Sequence, residues 1–415
     1  LRALPAIALW LALVAARPVV ADTTAREVLE HYAGLAYAAY SDAHAGAVHL
    51  HETVRALIAR PTEDTLAGAR AGWRAARVPY QQTEAFRFAN PLVDEWEGRV
   101  NAWPLDEGLI DYVASRPGFA LDENPYAAVN VIANQQITLS GRTIDARRID
   151  AELLTDTLHQ IDHIEANVAI GYHAVEFLLW GQDLNGTGPG AGRRPASDYD
   201  TAQCTGGHCD RRATYLELVT RLLVGELAWM QEQWRKGGQA RESLGKKTEE
   251  EAVAGIVLGL ARFAMGELAG ERMKLGLMLH DPEEEQDCFS DNTHWSHYYN
   301  SLGLRNVYTG IYVDRSGRKM EGPSLSDLVR QGDAEVDRRI RAALEALLAA
   351  TRAMVDSAER EGVAYDQLLA EGNDRGRELI LTAITALTTL SQGLDRALVA
   401  LGIDHLADDP GALAP

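Results

Sequence analysis

Residues 23–90 form one long Ala-rich stretch with none of the apolar–polar alternation that a strand needs, so this part of the chain has to be helical. Its clear break is Arg60-Pro61-Thr62-Glu63, where Pro61 cannot continue a helix and Thr62 can cap a new one. Thr23 or Thr24, followed by Glu27, offers a capping box at the start. The pattern predicts two helices, near 24–59 and 63–89, folded back on each other as an antiparallel pair.

Helical spacing returns in 150–180, 212–235, 249–275, 324–360 and 375–401; in the last, Ile380, Ile384, Leu387, Leu390, Leu394 and Leu398 step by three and four. Strand signals are confined to Gln136–Leu139 and to Ile311–Arg318, where Asp314-Arg315-Ser316-Gly317 reads as a hairpin turn. At 415 residues the chain exceeds one small core and fits two to three domains of ~100–200 residues. The 30-residue Gly- and Pro-rich connection from Asp183 to Arg212 is the natural boundary. The expected fold class is all-α: two helical bundles with minor β embellishments. Residues 1–21 are expected to be a signal peptide, 22–200 an N-terminal bundle and 201–415 a C-terminal bundle. Trp73, Tyr80, Glu84 and Arg87 share a helix face in the first half, and Ile256, Leu260, Phe263 and Glu267 share one in the second. That is the pattern of a duplicated up-down bundle, although unrelated amphipathic helices also match at this level.

Asp and Glu number 60 against 40 Lys and Arg, a net charge of −20 that repels nucleic-acid phosphates and anionic lipids, so no nucleic-acid partner is expected. Arg2, the 13-residue apolar run Leu4 to Ala16, and Val19-Val20-Ala21 before Asp22 read as a secretory signal peptide. Its removal would take away Arg2 and Arg17 and leave 38 basic against 60 acidic residues. The run falls short of the ~20 residues that span a bilayer, and no later segment reads as long and uncharged enough, so no stable membrane insertion is expected after cleavage. No Cys follows the run to accept a lipid. The expected compartment is the periplasm of a Gram-negative cell.

In such a compartment Cys204 and Cys209, within Cys-Thr-Gly-Gly-His-Cys, are close enough for a local disulfide. The competing reading, a metal clip with His208, lacks a second Cys/His pair nearby. Cys288 is then left as a buried free thiol.

The stretch richest in chemistry is Gly171-Tyr172-His173-Ala174-Val175-Glu176-Phe177-Leu178-Leu179-Trp180-Gly181-Gln182-Asp183. His173 and Glu176 lie one helical turn apart, on one face, amid apolar neighbours. A carboxylate there needs a partner or a cation, and His is a common metal ligand. A simple His–Glu hydrogen bond would satisfy the same residues. Glu84 poses the same question on its own stripe, as a third ligand or as the partner of Arg87 or of an Arg across the bundle. Asp106 is a ligand or a helix cap. Asp291 and His294, in the irregular Phe289-Ser290-Asp291-Asn292-Thr293-His294-Trp295, and Glu267 are secondary candidates, with turn formation the alternative for Asp291. His44, His49 and His51 read as a solvated helix face. There is no His-Glu-x-x-His, no Gly-x-Ser-x-Gly and no phosphate loop.

Gly-x-His-x-x-Glu followed by Phe-Leu-Leu-Trp-Gly-Gln-Asp resembles the signature of the imelysin family, also described as insulin-cleaving metallopeptidase-like. The resemblance extends, in order, to Thr83–Phe88, Asn101–Asp106, Cys204–Arg212, Gly266–Met273 and Cys288–His294. It implies an all-helical two-bundle fold, a polar site near the junction centred on His173 and Glu176 with Glu84 close by, and an exported bacterial protein tied to iron. A metallopeptidase needs three protein ligands, an open position for water and a general base, and only His173 and Glu176 are in place.

The expected function is therefore metal binding, iron first and zinc or copper next, in iron uptake or homeostasis beside other envelope iron-uptake components. A metal-dependent peptidase at the same site is the alternative. A scaffold whose polar site is purely structural is the third reading, and catalytic residues stay unassigned.

Overall fold

Thr24 opens the first helix through the expected box: its backbone N donates to Glu27 Oε2 (2.9 Å), and Glu27 N donates back to Thr24 Oγ1 (3.3 Å). The computed structural model describes residues 22–114 and 124–406. The expected signal peptide, 1–21, lies outside the described residues.

Helix α1 (Ala25–Ala59) and α2 (Glu63–Thr83) pack along one another as the Pro61 break requires, with Thr62 capping α2. The second helix ends at Thr83 rather than near 89. The chain tightens into a 3-10 turn over Glu84–Phe86, and Asn90, whose side chain accepts from Leu92 N (3.2 Å), restarts it as α3 (Pro91–Asn101). Asn-Pro is a restart signal that the Ala-rich pattern hides. A short α4 (Glu107–Ile110) and the hairpin β1 (Gln136–Leu139) with β2 (Arg142–Asp145) follow.

The helix expected over 150–180 is broken. Wide turns over Leu153–Leu158 give way to left-handed Gln160, Asp162 and His163, and regular helix resumes only in α5 (Gly171–Trp180). The apolar spacing was continuous there, but the backbone was not.

Helix α6 (Cys209–Trp234) lies along α1, and Tyr32, Tyr40, Phe86 and Trp234 meet between them, with the Tyr40 and Trp234 rings stacked at 6.5 Å. Burial of each such ring contributes roughly 1.5–3 kcal/mol. After α7 (Gln239–Gly245), α8 (Glu249–Arg262) runs on through π-type turns over Phe263–Lys274 into α9 (Leu275–Leu279). Contrary to expectation, Glu249–Leu279 is long and apolar enough to cross a bilayer; most of its apolar window is buried inside the protein, as in a core helix. Helix α10 (Thr293–Thr309) packs on α2, and β3 (Ile311–Val313) pairs with β4 (Lys319–Glu321) around the expected turn. The 324–360 stretch divides at Asp333, which caps α12 (Ala334–Glu361) after α11 (Leu325–Gly332). A short α13 (Tyr365–Leu369) leads to α14 (Asp374–Ala400), which lies along α12 and α8.

The fold is all-α, 67% helical with 4% strand in two small hairpins. Cys204 and Cys209 form a disulfide, so neither thiol is free for a metal clip. Cys288 is a buried free thiol, and burial pushes its ionisation up.

Candidate functional site

Every residue of α5 is buried, which follows from an apolar run too continuous to leave a wet face. Gly171 opens the helix at φ +90°, where a side chain would be strained, and an added Cβ would stand 2.6 Å from the Val100 carbonyl oxygen. That close approach sets α5 against α3 and aims its first turn at α2. Trp73 of α2 anchors the same turn through Nε1, which donates to Tyr172 O (2.9 Å).

His173 and Glu176 then face the segment that precedes α10. His173 Nδ1 lies 2.9 Å from Glu176 Oε2 and 3.9 Å from Asp287 Oδ1, and all three side chains are fully buried. Glu176 Oε1 accepts from Ser290 N (3.0 Å) and Ser290 Oγ (2.6 Å). Asp287 Oδ1 accepts from Arg77 Nη2 (2.6 Å), while its Oδ2 accepts from Asn292 Nδ2 (3.1 Å) and the Ser296 hydroxyl.

Burial, reinforced by Arg77, pushes His173 down to about 3. Burial, reinforced by Asp287, pushes Glu176 well above the usual carboxylate range. The two groups therefore meet as a neutral hydrogen-bonded pair rather than as an ion pair. Against a burial that would raise it, Arg77 foremost holds Asp287 below its ordinary value. The charge resident in the site is the Arg77–Asp287 pair.

One ligand atom each from His173, Glu176 and Asp287 lies within 4.8 Å of the others, and His173 Nε2 has no hydrogen-bond partner. One imidazole nitrogen and two carboxylates fit a transition-metal ion. Arg77 competes for Asp287, so a cation would draw mainly on Glu176 and His173.

Glu84 is not brought into this cluster. Its Oε2 accepts from Arg272 Nη1 (2.5 Å) and Asn300 Nδ2 (3.3 Å), the pairing with an Arg across the fold that was its other reading. The two groups are nevertheless joined: Asn101 Oδ1 accepts from Arg77 Nη1 (2.5 Å), and Asn101 Nδ2 donates to Glu84 Oε1 (3.2 Å). Glu267 accepts from Arg272 Nη2 (2.7 Å) and lies 3.6 Å from Arg87 Nη1. Glu267 and Arg272 are five apart, a spacing that the π turns bring to one face. A cleft of about 870 Å³ lined by Arg87, Glu97, Asn101, Glu267, Arg272 and Gln286 opens onto this second network. A groove of about 1040 Å³ between α12 and α14 is lined by none of these residues.

Asp106 stands at the N-cap of α4 without a side-chain capping bond and accepts instead from Asn124. His294 opens α10 with Nε2 3.5 Å from Glu359, and burial lowers it to about 4. Asp291 is gathered with Glu285 and Asp366 rather than into the His173 cluster. His51, expected on a solvated face, is half-buried, with Nδ1 2.8 Å from Thr220 Oγ1.

Sequence reasoning missed Asp287, Arg77, Ser290, Asn101 and Arg272. Arg77 was within reach, since it falls on the stripe of Trp73, Tyr80 and Glu84 at helical spacing. Asp287 immediately precedes the Cys288–His294 motif. Nothing local marks either as a partner of His173.

The imelysin family model matches residues 36–394. Iron-regulated protein A of Synechococcus elongatus is 32% identical over 78 residues, 19% of this chain and 22% of that protein, so the chain spans about a fifth of the curated relative it matches. A solved iron-regulated protein A precursor from Parabacteroides distasonis superposes with a TM-score of 0.62 at 17% identity, covering 92% of this chain and 97% of that one. An imelysin-like protein from Psychrobacter arcticum does so with 0.55 at 14% identity, covering 92% and 98%. At those identities the likeness is one of fold.

Proposed function

The chain belongs to the imelysin family, and from that premise we propose that it is an exported metal-binding protein of the bacterial envelope, serving iron uptake or homeostasis. The observation that carries the reading is the convergence of His173, Glu176 and Asp287 within 4.8 Å, all buried, with His173 Nδ1 facing both carboxylates. A donor set with no thiolate and two carboxylates favours iron, with zinc and copper next. The name of the Synechococcus relative supports iron, and the signal-like residues 1–21 support the periplasm. Other envelope iron-uptake components are the partners this reading implies, and Glu84 is an outer group connected through Asn101.

When bound, the metal would supply a fixed positive charge able to polarise a ligand. The chain's own residues set the geometry: Ser290 orients Glu176, and Arg77, Asn292 and Ser296 hold Asp287. Metal-dependent peptide hydrolysis is the weaker reading, because the three ligand side chains are wholly enclosed and leave a peptide no bond-length access.

The test is metal content by mass spectrometry after titration of the purified protein with iron(II), iron(III), copper or zinc, beside the double variant His173→Ala, Glu176→Ala. A stoichiometric metal lost in the variant, with affinity down by roughly 100-fold or more, is expected. No metal in either protein, or equal metal in both, would overturn the reading and favour the scaffold. His173→Ala alone should weaken uptake while the protein stays folded.

The sign of the pH dependence follows from the same groups. His173 is already neutral above about pH 4, so protons do not compete for it near neutrality. Glu176, with its ionisation raised, must lose a proton to bind a cation. Affinity should therefore rise with pH above the ordinary carboxylate range, by up to about tenfold per unit for one proton released. A flat profile by titration calorimetry would mean that Glu176 is not a ligand.

A further inference from the structure

In the segment between 285 and 292, Asp287 lies 3.9 Å from His173 and Ser290 donates to Glu176, whereas Glu285 and Asp291 meet Asp366 from α13. One carboxylate oxygen from each of Glu285, Asp291 and Asp366 lies within 4.8 Å of the others. Among the described residues no Lys, Arg or His stands within ion-pair distance of any of them. Arg74, which donates to Ser290 O (3.2 Å), is a more distant counter-charge to Asp291.

A cluster of acids carries little by itself. Here, however, Asp366 is 0% exposed and enters from a separate helix, with no side-chain hydrogen bond to either oxygen and only the nearby backbone N–H groups of Asp366 and Gln367. Glu285 is 1% exposed with Oε2 unpartnered, and Asp291 Oδ1 is unpartnered as well. Buried carboxylate oxygens are normally satisfied. Three of them in one place require either shared protons or a cation.

We propose that Glu285, Asp291 and Asp366 form a second cation site, made only of oxygen and suited to a hard divalent ion of the calcium class. Calcium takes about six to eight oxygen ligands at about 2.3–2.6 Å in flexible geometry, which three carboxylates drawn from two segments can begin to supply. Neither imidazole nor thiolate contributes, so the site differs in kind from that at His173. Asp291 is only partly buried and leaves a path for the ion. Because Glu285 and Asp291 flank Asp287 and Ser290 in one segment, an ion here would brace the strand of chain that completes the first site.

Calcium chloride titrations by calorimetry at pH 7.5, on the full chain and its variants, test this. One calcium per chain is expected in the wild type and in His173→Ala, Glu176→Gln. Asp366→Asn should weaken it roughly tenfold or more, as should Glu285→Gln. Both changes are isosteric and remove a repelling charge, so the fold should survive; a calcium-dependent rise in the thermal midpoint of the wild type gives a readout that needs no variant. No uptake at millimolar calcium, or uptake unchanged in Asp366→Asn, would overturn the proposal. So would calcium lost in the His173, Glu176 variant but kept in Asp366→Asn, which would place the ion in the first site. Iron uptake measured on the same Asp366→Asn protein tells failure here from failure of the first site.

Discussion

Arg272→Met is expected to lower the unfolding free energy by about 3–5 kcal/mol, because it strands the buried Glu84 without its ion-pair partner and leaves Glu267 only Arg87, 3.6 Å away. Arg272 is 3% exposed and donates to Glu84 on one side and Glu267 on the other. Methionine fills much of the same volume and adapts to irregular gaps, so the loss should come from charge rather than from a cavity. Urea unfolding reads it as a lower midpoint with an unchanged slope. The exposed pair Arg26–Glu249, with 76% and 45% of the two side chains open, is the control: Arg26→Met should leave the midpoint where it is. A wild-type midpoint for Arg272→Met would mean that the ion pairs of Arg272 with Glu84 and Glu267 add nothing to the stability of the fold.

Gly171→Ala should be damaging in two ways at once. The left-handed φ of +90° strains any side chain by about 1–2 kcal/mol, and a Cβ 2.6 Å from the Val100 carbonyl oxygen adds about 1–3 kcal/mol of overpacking, since backbone cannot rotate aside. The helix it opens carries His173 and Glu176, so the displaced turn should also lose metal uptake. Gly141→Ala separates the terms, for Gly141 has φ +71° with open space around it. Equal midpoints for the two variants would sink the account of a close contact with Val100. A destabilised Gly171→Ala that keeps full metal uptake would show that α5 can shift without moving its ligands.

Much of the helical architecture was legible because its signals are local. Thr24 with Glu27, Pro61 with Thr62, and the three-and-four stepping of Ile380 to Leu398 act within a turn or two of where they stand. So does Asp314-Arg315-Ser316-Gly317, whose hairpin forms where the turn chemistry places it. Local signals failed where backbone geometry overrode side-chain spacing. Apolar residues run on through 150–170, yet left-handed Gln160, Asp162 and His163 break the helix. The stripe through Glu84 likewise conceals the restart at Asn90-Pro91.

The candidate site divides in the same way. By itself the sequence determined that His173 and Glu176 share one face of a buried helix, because their spacing and apolar neighbours allow little else, and that Glu84 sits on a buried stripe in need of a partner. Only the tertiary structure decided the partners: Asp287 and Arg77 for His173, Ser290 from 114 residues along the chain for Glu176, and Arg272 rather than the His173 cluster for Glu84. Burial makes a charged group's need visible in one stretch of sequence. What meets that need is set by which distant segments pack against it, and no local pattern encodes that.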